Sequence, residues 1–361
     1  MTHSQRRDNL SARIDGNGLD AMLITDLINV RYLSGFTGSN AALLVFADRR
    51  TPVLATDGRY RTQAAQQAPD VEVAIERACG RYLTGRAAAD GVQRLGFESH
   101  VVTVDGFDAL SREAMGTELV RASGTAEALR EVKDAGEVAL LRLACEAADA
   151  ALTELVRRGG LRPGRTERQV GRELEALMLD HGADGASFET IVAAGANSAI
   201  PHHRPTDAVL ATGDFVKIDF GALVGGYHSD MTRTFVLGAA ADWQHDIYQL
   251  VAAAQQAGRE ALEAGASLAD VDGAARDVIA DAGHGDHFGH GLGHGVGLQI
   301  HEAPGISAGA AGTLLAGSVV TVEPGVYVPD RGGVRIEDTL VVGTHRPELL
   351  TRFPKELAIL T

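Results

Sequence analysis

The sequence predicts an α+β protein in two parts, a smaller mixed α/β domain followed by a larger one with helices packed on mainly antiparallel sheet. Three observations predict it. Short apolar runs alternate with helix-like ones up to about Ser123, a long run of helix formers then intervenes, and two hairpin patterns separated by capped helices follow. A chain of 361 residues also exceeds what one hydrophobic core usually organises, which favours two domains.

In the first part, the runs "AMLIT", "AALLVFA", "PVLAT", "VEVAI", "RLGFES" and "TELVRA" are each short and rich in β-branched or apolar residues. Helix-like segments lie between them, the pattern of a mixed α/β sheet domain. Ala126 to Arg158, "AEALREVKDAGEVALLRLACEAADAALTELVRR", combines strong helix formers with an apolar stripe and reads as one or two helices. The change of texture places the boundary here, giving domains at 1–124 and 125–361.

Further along, "TERQVGRELEALMLDHG" sets Thr166 and Gln169 in capping-box spacing and closes at Gly182. "SLADVDGAARDVIADAG" offers Ser267 as N-cap, with Asp270 in the place usually held by Glu or Gln. The helix-like "DWQHDIYQLVAAAQQAGREAL", with Trp243, carries an amphipathic stripe that fits a core face or an interface equally well.

The apolar share of 45% and charged share of 22% are those of an ordinary globular protein, and the net charge of -15 argues against nucleic-acid or anionic-membrane partners. The N-terminal stretch has no apolar core of a leader peptide, and nowhere do 18 apolar residues run together, so a cytoplasmic protein is expected. Cys79 and Cys145 are too few for a disulfide framework and are expected to be buried free thiols.

The chemistry concentrates in the two hairpins. In "FVKIDFGALVGGYHSDMTRTF", folding about Val224 and Gly225 brings Asp219 roughly opposite Asp230. In "SVVTVEPGVYVPDRGGVRIEDTLVV", folding about Arg331 brings Glu323 close to Glu337. Opposed like charges destabilise a strand pair, and buried carboxylates must be paired, protonated or bound to metal. One such pair would pass as a surface accident; two on apolar strands call for cations.

A fifth donor comes from "HFGHGLGHGVGLQIHEAP", which holds His287, His290, His294 and His301. Glycines at 289, 291, 293, 295 and 297 clear one alternation of this segment for close approach of backbone or substrate. Four carboxylates and an imidazole suit two hard or borderline divalent cations rather than a cysteine-rich zinc site. Such a pair lowers the pKa of a bridging water and polarises a carbonyl.

The ordered set Asp219, Asp230, His294, Glu323 and Glu337, within "KIDFGA", "HSDMTRTF", "GHGLGHGVGLQIHE", "TVEPGVY" and "GVRIEDT", resembles the dinuclear site of the pita-bread metallopeptidases. That family includes methionine aminopeptidase, aminopeptidase P and prolidase. "NVRYLSGFTGSNAALLV", "TDGRY" and "LREVKDAGEVALLRLAC" are similar to the Xaa-Pro branch, which carries a creatinase-like N-terminal domain.

The resemblance implies a creatinase-like domain at 1–124, a pita-bread catalytic domain at 125–361, and cleavage of the bond between an N-terminal residue and proline by a metal-bridging hydroxide. It implies Asp219 chelating one metal, Asp230 and Glu337 bridging both, and His294 and Glu323 completing the other shell. Glu323 would shuttle the proton. His202, His290 and His301 would hold substrate and stabilise the tetrahedral intermediate, with Tyr327 and Arg335 supporting them near the metals. Two divalent ions are implied, Mn²⁺ first, with Co²⁺, Zn²⁺ or Fe²⁺ possible, together with short proline-containing peptides as substrates and a homodimer.

A dipeptidase must also read the free carboxylate of the second residue, most simply with an arginine fork. Arg204 and Arg331 are the candidates, each equally open to a role as a solvated side chain. Two other readings are a methionine-aminopeptidase-like activity, disfavoured by the extra N-terminal domain, and a non-catalytic binding protein on the same fold, disfavoured by the intact set of five donors.

Overall fold

The computed structural model describes residues 1–361, and the chain divides into two units, Met1–Arg130 and Glu131–Thr361. All six strands expected in the first unit form. They make one sheet in the order Glu72–Ile75, Val53–Thr56, Ala41–Phe46, Ala21–Ile24, Arg94–Phe97, Glu118–Arg121. The middle strands pair antiparallel and the outer ones parallel, and the apolar central strand Ala21–Ile24 is buried throughout.

Glu98, fully buried, accepts hydrogen bonds from the Thr25 and Asp26 amides and from Asn29. Asn29 also donates to Glu127 and accepts from Arg130, while the Tyr32 hydroxyl donates to Leu129 O. These bonds tie the short helix Glu127–Arg130 to helix Leu27–Ser34 within the first unit. The run of helix formers is indeed two helices, Glu127–Arg130 and Ala135–Arg157, the second opened by a capping box of Asp134 and Glu137.

In the second unit, helix Glu167–Asp180 starts on the expected Thr166–Gln169 capping box, and Leu268–Asp281 on the Ser267 hydroxyl. Helices Ala135–Arg157 and Glu167–Asp180 pack on a four-stranded sheet of Ile191–Ala194, Phe215–Phe220, Met231–Leu237 and Ala358–Leu360. Asp242–Glu260 and Leu268–Asp281 form the other pair, packed around Val320, Val322, Val334 and Ile336. Trp243 belongs to that core: its ring meets Phe215 edge-on at 5.3 Å. Cys79 and Cys145 are buried free thiols.

Strand alternation then fixes where the polar residues go. Val216, Ile218 and Phe220 face the first helix pair, so Lys217 and Asp219 face the other way. Val320 and Val322 face the second pair, leaving Thr321 and Glu323 on the reverse; Val334 and Ile336 likewise leave Arg335 and Glu337. Two apolar cores thus turn one set of polar side chains onto a shared inner face.

The registers refine the two hairpins. Asp219 pairs with Thr232 and Phe220 with Met231, so Asp230 lies diagonal to Asp219 rather than opposite it. The turn sits at Gly225–Gly226, both with positive φ, slightly beyond the expected fold point. In the second hairpin, the pairs Val322–Asp338 and Gly325–Arg335 bracket Glu323 and Glu337 in one register, turning at Asp330 rather than Arg331. Between those pairs the ladder opens: the Glu323 amide donates to Leu292 O and the Glu337 amide to Thr232 O.

Candidate metal centre

The carboxylates and imidazole singled out in the sequence converge at one pocket, lined among others by Asp219, Asp230, His294, Glu323 and Glu337. Donor atoms of Asp230, His294 and Glu337 all lie within 4.8 Å of one another. His294 Nε2 is 3.3 Å from Glu323 Oε1 and 3.6 Å from Asp230 Oδ2. The glycines of "GHGLGHG" bring this about: a Cβ on Gly293 would collide with Thr321 O, and one on Gly295 with Ala303 O. At these two positions neighbouring strands fill the space a side chain would need, whereas nothing lies within 4 Å of that place at Gly289.

Electrostatics show that the cluster lacks positive charge. Burial, then the neighbouring Glu337, Asp219 and Glu323, push the Asp230 carboxyl well above the ordinary range. Glu337 is pushed well above it for the same reasons. Burial also works to raise Glu323, but His294 and Arg335 outweigh it and hold that carboxyl low. Arg335, 2% exposed, is the fixed cation in contact, donating to Asp219, to the Thr232 hydroxyl at 3.0 Å and to the Tyr327 hydroxyl at 2.7 Å.

Three features fit divalent cations. Asp219 Oδ1 is buried without a hydrogen-bond partner. His294 Nδ1 lies 3.1 Å from Gly295 O, so it carries the proton and Nε2 turns a lone pair toward two carboxylates. That arrangement is repulsive unless the ring is protonated or a cation lies between, and the carboxylates do raise the His294 pKa against the effect of burial. The donor set itself, oxygen-rich with one imidazole and no cysteine, suits Mn²⁺-like ions.

The expected supporting residues divide into two groups. His202 and His301 are exposed and line the pocket, and the His301 ring meets His294 edge-on at 4.4 Å. His290, Tyr327 and Arg335 do not line it; they form a chain, buried at Arg335 and Tyr327 and half-buried at His290, in which Arg335 donates to Tyr327 and Tyr327 Oη lies 2.9 Å from His290 Nε2. His290 Nδ1 faces Gly291 O at 2.8 Å, so Nε2 is the acceptor and the chain runs in one direction. Burial pushes the Tyr327 hydroxyl up to about 12, keeping it a donor. Arg276, paired with Asp272, donates to Phe288 O and His290 O and holds that segment in place.

Sequence reasoning missed several contributors. Thr232 Oγ1 donates to Glu337 at 2.6 Å while accepting from Arg335, linking a donor of the cluster to its cation. Lys217 is wholly buried and donates to Ile200 O at 2.7 Å and Pro201 O at 3.3 Å. A lone lysine inside the apolar strand "FVKIDF" was the available signal. Glu167, also wholly buried, accepts from Thr206 and faces His203 Nε2 at 2.8 Å; its position in the first turn of a capped helix disguised it.

A buried set of four carboxylates and an imidazole, on the inner face of such an α+β frame, defines a metal-dependent hydrolase. The chain belongs to metallopeptidase family M24, whose model matches residues 139–344, and residues 6–132 match the creatinase/prolidase N-terminal domain. The second unit is accordingly a pita-bread catalytic domain and the first a creatinase-like domain. YqhT of Bacillus subtilis, an uncharacterised peptidase, is 40% identical over 95% of this chain and 96% of its own. A solved Xaa-Pro dipeptidase from Bacillus anthracis is similar at a TM-score of 0.95 and 39% identity, covering 99% of this chain and 100% of that one. An X-Pro aminopeptidase from Thermotoga maritima follows at 0.90 and 33%, covering 98% and 99%. No helix is long and apolar enough to cross a membrane.

Proposed function

We propose that the protein is a dinuclear-metal exopeptidase that hydrolyses the bond between an N-terminal residue and proline, with Xaa-Pro dipeptides as its preferred substrates. The observation that carries this is the cluster's deficit of positive charge: Asp230 and Glu337 raised together, Asp219 Oδ1 orphaned, and the His294 lone pair aimed at carboxylates. Asp219 would hold one ion, Asp230 and Glu337 would be shared, and His294 and Glu323 would hold the other, with Mn²⁺ the best match. When bound, the ions supply Lewis acidity, polarising the scissile carbonyl and acidifying a water.

The chain's own residues supply the rest. Glu323, with the Arg335 guanidinium beside it, takes the proton of the attacking water and delivers it to the departing prolyl nitrogen. His202 and His301, on the pocket wall, donate to the oxyanion as it forms, where a hydrogen bond lowers the barrier more than it tightens ground-state binding. The chain Arg335, Tyr327, His290 fixes the cation beside Asp219. A bond before proline offers no N–H and a fixed ring φ, so recognition must come from a shaped pocket. This pocket, about 230 Å³ with Phe188, Ile191 and Ile300 on its wall, is smaller than the several hundred Å³ typical of larger ligands and suits a short substrate.

The test is hydrolysis of Xaa-Pro, Xaa-Pro-Zaa and Xaa-Ala by protein stripped with a chelator and then reloaded with Mn²⁺. Metal-restored cleavage before proline, fastest on the dipeptide, is the expected result. Full turnover in the metal-free preparation, or no cleavage of any of the three after two ions bind, would refute the proposal.

A further inference from the structure

The pocket wall carries two charged side chains beyond the five donors: Glu189 and Arg204, ion-paired with each other. Their side chains are 57% and 78% exposed. An ion pair this exposed contributes only about 0–1 kcal/mol, so an incoming carboxylate displaces it at little cost.

Arg204 nevertheless sits on a firmly held segment. On one side, Lys217 donates to Ile200 O and Pro201 O, and Arg335 adds a bond to Pro201 O at 3.3 Å. Immediately before it, His203 is buried against Glu167, which also accepts from the Thr206 amide and hydroxyl beyond. Burial works against the Glu167 charge, but these bonds, with those from Asn197 and the Ala194 amide, hold its carboxyl low. The backbone that carries Arg204 is thus held from both sides, while its side chain stays open to the pocket.

Charge decides what that ligand end is. Of the five carboxylates that line the pocket, four are the proposed metal ligands; the fifth, Glu189, would repel an anionic substrate end, and Arg204 is the one lysine or arginine among the lining residues. The other sequence candidate is spoken for, because the Arg331 guanidinium stacks 4.2 Å from the Trp243 ring at the end of the second hairpin. Arg335 is committed to Asp219, Thr232 and Tyr327.

We infer that Arg204 is the specificity-determining residue that reads the free carboxylate of the substrate's second residue, with Glu189 as its counter-ion in the empty pocket. This rests on the exopeptidase reading and deepens it: the guanidinium fork pairs with a carboxylate through two parallel bonds, which an amide or a continuing peptide cannot offer. Arg204 thereby sets substrate length.

The experiment compares kcat/KM for a matched Xaa-Pro acid and its Xaa-Pro amide in Mn²⁺-loaded wild-type protein, Arg204→Met and Arg204→Lys. The wild type should prefer the acid at least tenfold. Arg204→Met should reduce the acid-to-amide ratio by about tenfold or more, chiefly through KM for the acid, and Arg204→Lys should recover part of it, because a lysine keeps the charge and loses the fork. An unchanged ratio in Arg204→Met, or a wild-type preference for the amide, overturns this inference while leaving the exopeptidase intact. Failure of the wild type to cleave acid, amide and Xaa-Pro-Zaa alike overturns both.

Discussion

Glu337 and Asp338 are neighbours on one polypeptide segment, both buried and both acidic, yet they live in opposite electrostatic worlds. Asp338 meets Arg233 at 2.9 Å and Lys355 at 2.7 Å and accepts further bonds from Gln255 and Thr351. Burial works to raise its pKa, and the two cations more than reverse that. Glu337 turns to the other face, among three more carboxylates, where the one arginine, Arg335, pairs with Asp219, and its pKa is driven up. The first carboxylate is neutralised by the protein and holds the C-terminal segment in place. The second is left short of positive charge; a buried carboxylate without protein cations either takes a proton or marks a place for a foreign cation.

The largest expected effect breaks this contrast at its functional end. Glu337→Gln should reduce Xaa-Pro turnover by about 10³-fold or more, at least the cost of losing a single transition-state contact, because it removes a proposed shared ligand. The same variant should make the metal-free protein more heat-stable, since it removes one of four crowded charges and a glutamine oxygen still accepts from Thr232. If Glu337→Gln instead unfolds the protein, the two residues are alike and the cluster is structural.

Asp338→Asn tests the other end. Removing one partner of a buried ion pair leaves Arg233 and Lys355 with unbalanced charge, and the expected loss is about 3–5 kcal/mol by equilibrium denaturation. Metal content per folded molecule should not change. A variant as stable as the wild type but unable to retain metal would mean that the Asp338 network belongs to the site after all.

The contrast also shows how much the sequence could reveal. Strand periodicity and turn residues were enough to place six strands, two hairpins and the four carboxylates, because each signal is local; His294 stood out from the three other histidines of its segment only through the family resemblance. Asp219 and Asp230 came out opposed rather than diagonal because two glycines with positive φ allow the turn to centre one position on. Nothing local distinguishes Glu337 from Asp338: their partners Arg233, Lys355 and Asp219 come from strands and a tail far away in the chain. Arg204 and Arg331 were equivalent in sequence for the same reason, since only the folded hairpin carries Arg331 to Trp243. Lys217 was the exception, a charge inside an apolar strand whose cost of burial should have flagged it.

The last expected effect is a slope. In the metal-free protein, Asp230 and Glu337 hold protons at pH values where the unfolded chain has released its own, so the folded state binds more protons. Stability must then fall as pH rises above the ordinary carboxylate value of about 4, by about 1.4 kcal/mol per pH unit for each group until it ionises. Asp338 has the opposite sign: its lowered pKa gives stability that is present above that value and lost as pH falls further into acid. Melting temperatures of chelated protein should therefore decline from pH 5 toward neutrality, less steeply in Glu337→Gln, and the decline should disappear in Mn²⁺-loaded protein because cations replace the protons. Equal slopes in the chelated wild type and Glu337→Gln would show that Glu337 is already ionised in the metal-free fold. The charge deficit that separates it from Asp338 would then be too small to demand a metal.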